Sequence, residues 1–293
     1  MRILFIGAVR FSQELLKELI TEGAEIIGIC GSSNNTFNAD FCNLSEVASL
    51  NAIPFFETSD INSSTSVTWI SSRDPDIIFC FGWSEILKKE ILQIPKLGIV
   101  GYHPSLIPQN RGRHPIVWTL ALGLRTTGST FFFMNEKPDS GAILSQREIV
   151  VSPDDTASTL YEKLLNVARH QIKKLLRELE KGNFTSLPQD ARVGNVWRKR
   201  TDSDGEIDWR MSANSIFDLV RALTHPYVGA HFVVEGIRIK VWGVRIYLDA
   251  PDNLEPGKVF QASCGCLAIK CGTHAVILTM TTPKYEFKAG QYI

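Results

Sequence analysis

Three kinds of residue in this sequence stand where their types and spacing could do chemistry. The first is His103, which closes the apolar run GIVGYH and opens the loop HPSLIPQNRGRHP, bounded by Pro104, Pro108, Gly112 and Pro115. Strand ends are where a doubly wound sheet turns side chains toward a ligand crevice. The second is Asp139, in the turn EKPDSGAIL between two apolar runs; a histidine oriented and charged by a carboxylate is a general unit for proton transfer during acyl transfer. The third is the pair Arg111 and Arg113 in NRGR, whose guanidinium groups suit a phosphate or carboxylate but fit a solvated loop equally well. Spacing alone leaves both the functional and the structural role of His103 open. The bend FCFGWSEIL ends another strand with aromatic residues and a glycine that could wall a flat heterocycle, with Phe79 read as core packing.

Other chemistries are poorly supported. GAVRFSQ lacks the spaced glycines of a dinucleotide fingerprint and the lysine of a P-loop. Cys264, Cys266, Cys271 and His274 crowd together, but a lone CxC without a second paired cysteine motif is a weak zinc signal, and CGCLAIKCGTHAVILTM alternates like two strands joined at CGT. No metal is expected.

The elements that must position these residues follow from apolar periodicity. MRILFIG reads as a strand, FSQELLKELITEG as a helix with leucines at helical spacing, AEIIGIC as a strand, and LSEVASL and TSVTWISS as helical stretches on either side of IPFF. DIIFCFG is a buried central strand, EILKKEILQI a helix, GIVGYH a strand and IVWTLALG a short helix; STFFFM and AILSQREIVV are strand-like. The long amphipathic helix DDTASTLYEKLLNVARHQIKKLLRELEKG, acidic at its start and basic late, packs on the sheet and closes the first domain. Alternation of this kind predicts an α/β fold, a doubly wound, mostly parallel sheet. Beyond the polar stretch 184–205, one helix, SANSIFDLVRALT, precedes short strands spaced as in a small β-rich, barrel-like domain.

Composition narrows the partners. In 293 residues, 31 basic residues balance 31 acidic ones, and from Glu206 onward nine basic residues face eight acidic ones, so no global field draws in a nucleic acid. The apolar runs are too short for a membrane span, and the amino end turns polar too soon for a signal peptide, which predicts a cytoplasmic protein with reduced cysteines.

The blocks HPSLIP, RGRHPIVWTL, TTGSTFFFM, DSGAIL and VSPDDTASTLYEKL, in this order and spacing, resemble the formyltransferases that use formyltetrahydrofolate. The segment GEIDWRMSANSIFDLVRALTHPYVGAHFVVEG with IRIKVWGVRI resembles the carboxy-terminal domain found in methionyl-tRNA formyltransferases and several sugar N-formyltransferases. The resemblance implies a folate-binding catalytic domain over 1–183, a linker over 184–205 and an OB-like domain over 206–293. It implies formyltetrahydrofolate as the formyl donor and, carried over by motif, His103 and Asp139 as catalytic residues. Phe81, Gly82, Trp83, Ile86 and Leu87 fall on the segment whose backbone contacts the pterin, and the stretch from Asn135 to Asp139 on the facing wall. Arg113 falls on the acceptor side and Ser105 in the catalytic loop, beside the substrate. The family's oxyanion-donating asparagine falls at Gly101, a departure that removes a donor of a kind worth about 3 to 4 kcal/mol in the barrier. The expectation is that protonated His103, with a water in the space beside Gly101, takes over.

Three acceptors compete under this resemblance. A nucleotide-linked amino sugar, attacked directly at its amine and feeding O-antigen or lipopolysaccharide biosynthesis, is favoured by RGRHP, the neutral carboxy-terminal region and the loop GSSNNTFNAD, which carries no lysine or arginine. Methionyl-tRNA is permitted by the layout and disfavoured by charge. A formyltetrahydrofolate hydrolase or dehydrogenase-type domain shares the YHPSL reading and the missing asparagine, and a non-catalytic folate-binding relative is the remaining alternative. A homodimer is compatible with all of these.

Overall fold

The structure, a computed structural model, describes residues 1–32, 40–190 and 192–293. Most of the loop GSSNNTFNAD, on which part of the acceptor argument rests, lies outside the described residues. The chain divides into two compact units, Met1–Pro115 with Thr127–Ile149 and Glu162–Trp197, and Ile116–Thr126 with Val150–Tyr161 and Arg198–Ile293.

The first unit is built on β1 (Ile3–Gly7), α1 (Arg10–Thr21), β2 (Ile26–Gly31), α2 (Ser45–Leu50), β3 (Phe55–Glu57), α3 (Ser64–Ser72), β4 (Ile77–Phe81), α4 (Lys89–Leu92), β5 (Ile99–His103) and β6 (Arg111–Gly112). After α5 (Pro115–Ala121), which from Ile116 onward belongs to the second unit, come β7 (Thr126–Phe133), β8 (Ile143–Val150), α6 (Ala157–Glu180), whose first turn also belongs to the second unit, and β9 (Val196–Trp197). The sheet runs β3-β2-β1-β4-β5-β7-β8. β1 to β5 are parallel neighbours, and β7 pairs antiparallel to β5, so the sheet is mixed at one side. Every residue of β1 and β4 is buried, as strands covered on both faces require. Phe81 meets Phe5 and Phe131 edge-on, tying three strands together.

α1 buries Phe11, Leu15, Leu16 and Leu19, one helical stripe. Its opposite face carries Glu14, Glu18 and Glu22, which meet Arg169, Lys173 and Arg177 of α6, both sets at four-residue spacing. α6 also reaches the sheet: the Gln171 amide donates to the carbonyl of Ser129 at 3.1 Å and to Ser145 Oγ at 2.9 Å. The helix predicted for EILKKEILQI is confined to α4. Asn62 is the reason: its amide donates to the Ile86 carbonyl at 3.0 Å and its oxygen accepts from Lys88 N at 2.8 Å, occupying groups that an earlier helical turn would need.

In the second unit a short turn at Asp202–Gly205 leads to α7 (Ala213–Leu223), β10 (Ala230–Val234), β11 (Ile237–Tyr247), β12 (Val259–Gln261), β13 (Leu267–Lys270) and β14 (Ala275–Thr282). The strands form an antiparallel half-barrel sheet ordered β10-β11-β14-β13-β12. β13 and β14 are the two strands read from CGCLAIKCGTHAVILTM. Arg221 of α7 is buried, and its guanidinium donates to Asp218 Oδ1 at 2.7 Å and to the carbonyl oxygens of Asp155 at 2.9 Å and Ser152 at 3.4 Å. No described helix is long and apolar enough to cross a membrane.

Candidate active site

The strand order reverses between β1 and β4, and the carboxyl ends of β1, β4 and β5 therefore border the crevice where such sheets take ligands. His103 is the last residue of β5, paired across the ladder with Thr130 of β7, and its side chain is 6% exposed. Its Nε2 lies 2.9 Å from the Asn110 carbonyl oxygen, which can only accept, so Nε2 carries the proton. Its Nδ1 lies 3.6 Å from Asp139 Oδ1, within ion-pair range and longer than a hydrogen bond. Only when Nδ1 is also protonated does the ring serve both acceptors.

The partners of His103 are held by backbone geometry that few residue types adopt. Asn110 has φ +62° and Asp139 φ +53°, left-handed conformations that asparagine and aspartate tolerate best after glycine. The second Asp139 oxygen accepts from Gly112 N at 3.0 Å. Gly112 itself, with φ +102°, lies so close to the Trp197 carbonyl that an added Cβ would sit 2.3 Å from its oxygen. This contact is part of the two-stranded pairing of β6 with β9. Gln189 completes the frame: its oxygen accepts from the Arg111 guanidinium at 2.9 and 3.1 Å, while its amide donates to the carbonyls of Asp139 at 2.9 Å and Gly141 at 2.7 Å. Thus part of the stretch read from sequence as a linker braces the His103 loop.

The FGWSEIL bend presents mostly backbone. Phe81 points its ring into the core and gives its carbonyl to Ser12 Oγ at 2.5 Å. Gly82 has φ +60°, and a Cβ there would meet Val9 Cγ2 at 2.1 Å, so the chain passes with no room for a side chain. Leu87 is buried, whereas Ile86 is 61% exposed and offers an apolar surface. Trp83 is partly buried, and its indole N–H is enclosed with no hydrogen-bond partner among the described residues. An orphaned donor of this kind costs about 1 to 3 kcal/mol and is the sort of defect that functional sites retain. Arg113 anchors the bend by donating to the Ser84 carbonyl at 3.1 Å. Asn135, exposed, shapes the other wall, its oxygen accepting from Lys137 N at 3.0 Å and Ser140 Oγ at 2.9 Å.

Two expectations meet a different arrangement. Ser105 is fully enclosed and donates its hydroxyl to the Gln109 carbonyl at 3.0 Å, so in this conformation it braces the loop instead of facing a substrate. The space beside Gly101, expected to hold a water, is taken: a Cβ built there would lie 2.9 Å from Met134 Cγ and 3.1 Å from Phe132 Cζ. Sequence reasoning also missed Asn110, Gln189 and Met134. Asn110 and Gln189 act through a carbonyl or through partners far along the chain, and only the polar NRG turn signalled the first.

Two hollows lie elsewhere. One, of about 320 Å³, runs along the basic face of α6, and another, of about 750 Å³, is lined by Leu267, Ile277, Met280, Tyr285 and Phe287 of the second unit. Neither includes His103 or Asp139. Among the described residues no group of three or more His, Cys, Asp or Glu is placed to hold a metal ion.

This geometry has relatives. The chain is similar over 97% of its length, and 99% of the other chain's, to WlaRD, a sugar 3N-formyl transferase solved in the presence of dTDP and 5-N-formyl-THF, with 14% identity and a TM-score of 0.73. An N-formyltransferase from Helicobacter canadensis, in complex with folinic acid and dTDP-3-aminofucose, matches with 14% identity and a TM-score of 0.68 over 94% of this chain and 98% of that one. HypX from Aquifex aeolicus, in complex with tetrahydrofolic acid, matches with 20% identity and a TM-score of 0.67 over 96% of this chain and 44% of that one. At these identities the likeness is one of fold. The sequence itself goes further: residues 1–176 match the Formyl transferase family and residues 199–290 the Formyl transferase, C-terminal domain, and the chain therefore belongs to the formyl transferase family, a formyl-transferring enzyme by that membership.

Proposed function

We propose that this chain moves the formyl group of formyltetrahydrofolate to the amine of a nucleotide-linked amino sugar by direct attack, with no covalent enzyme intermediate. The observation that carries the reading is the enclosed pair of His103 and Asp139 at the carboxyl end of β5, beside a bend that offers bare backbone at Gly82 and an apolar side chain at Ile86. Those features suit a flat folate ring next to a proton-transfer group. The relatives crystallised with folates and with dTDP or a dTDP-amino sugar support the choice of donor and acceptor.

The acceptor amine nitrogen attacks the formyl carbon, the carbonyl oxygen becomes an oxyanion, and the folate nitrogen leaves as the amide forms. His103 Nε2 exchanges the Asn110 carbonyl for the reacting groups, a tightening common when substrate enters an apo site. With Nε2 released from that carbonyl, the ring's single proton is held at Nδ1 toward Asp139, so that Nε2 can accept the amine's proton; the resulting imidazolium stabilises the developing charge and returns the proton to the departing folate nitrogen. Gly101 gives no side-chain donor and Met134 closes the space beside it, so oxyanion stabilisation rests on His103. Arg113, on the loop between β5 and α5, faces the acceptor's anionic part.

Gly101 also favours a second reading, release of formate to water, because a site without the asparagine is shared with the hydrolase-type resemblance. The deciding experiment is turnover of formyltetrahydrofolate against a panel of nucleotide-linked amino sugars, with methionyl-tRNA and a no-acceptor control. Formyl-sugar formation supports the first reading. Formate release that is independent of acceptor supports the second, and labelled methionyl-tRNA overturns both.

A further inference from the structure

Cys30, Cys80 and Cys271 are buried, and burial pushes the thiols of Cys80 and Cys271 up to about 12 and that of Cys30 higher still. Such thiols are inert packing groups. Cys264 and Cys266 differ: both are exposed, in the turn between β12 and β13. That turn is tightly drawn. Ala262 N donates to the Cys266 carbonyl and Gly265 N to the Ala262 carbonyl, both at 2.9 Å, with Gly265 at φ +78°. Tyr247 Oη, 3.0 Å from Ser263 Oγ, pins the residue before Cys264 to β11. Cys266 Sγ turns back and donates to the Cys264 carbonyl oxygen at 4.0 Å, and the positive charge of Arg245 acts on both thiols.

We propose that Cys264–Gly265–Cys266 is a redox-active dithiol that closes reversibly to an intramolecular disulfide by exchange with small-molecule disulfides, Cys264 being the attacking sulfur. The Cys264 thiolate attacks one sulfur of the disulfide, forming a mixed disulfide and releasing one small thiolate. Cys266 then gives up its proton and attacks the Cys264 sulfur, forming the Cys264–Cys266 bond and releasing the second small thiol. Two electrons pass from the protein dithiol to the external disulfide, and two small thiols leave for one disulfide consumed. Hydrogen bonds from the Cys266 backbone and side chain, and then the charge of Arg245, lower the thiol of Cys264, whereas the hydrogen bond to Cys264 and its charge raise that of Cys266, which fits Cys264 as attacker and Cys266 as resolver. A ring closed across a single residue is strained and exposed, and disulfides of that kind are the labile ones. The site is therefore reversible and is no structural staple.

The test uses the full chain incubated with glutathione disulfide, quenched with acid, alkylated and mapped by peptide mass. The expected result is a peptide carrying Cys264 and Cys266 that has lost two hydrogens and retains no glutathione, formed roughly tenfold or more faster than any adduct on the half-buried Cys42. Cys266→Ser should trap one glutathione on Cys264, Cys264→Ser should lose the fast reaction, Cys271→Ser should change nothing, and dithiothreitol should restore both thiols. A wild-type chain that keeps glutathione on Cys264 without closing, or a pair that reacts no faster than Cys42, overturns the proposal.

Discussion

β4 and β5 lie side by side and end at the same edge of the sheet, yet they deliver different things there. β4 buries its last side chain, Phe81, and then runs through Gly82 in a conformation that Val9 closes to any side chain, so it presents backbone. β5 ends by presenting a side chain, His103, whose two nitrogens and whose partner Asp139 are each assigned a contact by the loops around them. One end is specified by steric exclusion and the other by hydrogen-bond accounting. They should accordingly fail in different ways when altered.

The largest effect is expected at His103. His103→Asn should lower formyl-transfer turnover by about 10²- to 10⁴-fold, the usual worth of a positioned acid or base, while thermal unfolding moves by only a few degrees. A collapse of the melting temperature with activity per folded molecule preserved would erase the distinction between the two strand ends. Asp139→Asn comes next: asparagine accepts the left-handed backbone and can still take the Gly112 N–H, so the fold should hold while turnover falls on the order of 10²-fold. At the other strand end, Gly82→Ala should destabilise the chain by about 1 to 3 kcal/mol in denaturant titrations and raise KM for the folate more than it lowers kcat. Equal losses in both constants would mean that the bend contributes to chemistry as well as binding.

Smaller effects refine the picture. Gly101→Ala brings a Cβ against Met134, a flexible side chain, and should cost about 1 kcal/mol or less with turnover little changed. The smallest effect is at the ladder between α1 and α6, away from both strand ends. A hydrogen bond from Arg177, followed by one from Lys173, holds the Glu22 carboxyl below its ordinary range. The contribution of Glu22 is therefore present above that range and is lost as pH falls through the lowered value. Melting temperatures of wild type and Glu22→Gln, measured from pH 7 downward, should converge as pH falls below the ordinary carboxylate range, and a gap that widened with acid would contradict the assignment.

Most of the parallel sheet could be read from the sequence because ILFIG and IIFCF are short, fully apolar runs and α1 carries its leucines on one stripe. His103 and Asp139 could be singled out because a titratable residue at a strand end or in a tight turn is conspicuous. The supports were not legible. Gln189 lies in a polar, irregular stretch and acquires its role from contacts 48 to 78 residues away in the chain. Met134 reaches Gly101 only because β7 pairs with β5. The overextended EILKKEILQI helix had the right apolar period, and the capture of its backbone by Asn62, more than twenty residues earlier, leaves no local trace.

The burial of Arg221 has a consequence for how such chains can be divided. Its acceptors, Ser152 and Asp155, come from Val150–Tyr161, a segment that precedes most of α6 and yet belongs to the same compact unit as the half-barrel. A fragment cut at Arg198 would keep the pairing of Arg221 with Asp218 but lose those two carbonyls, at the cost of about 1 to 3 kcal/mol typical of donors left without their acceptors. The half-barrel is thus no detachable cassette: recombination that grafts it onto another core must bring along residues 150–161, or substitutes for their carbonyls.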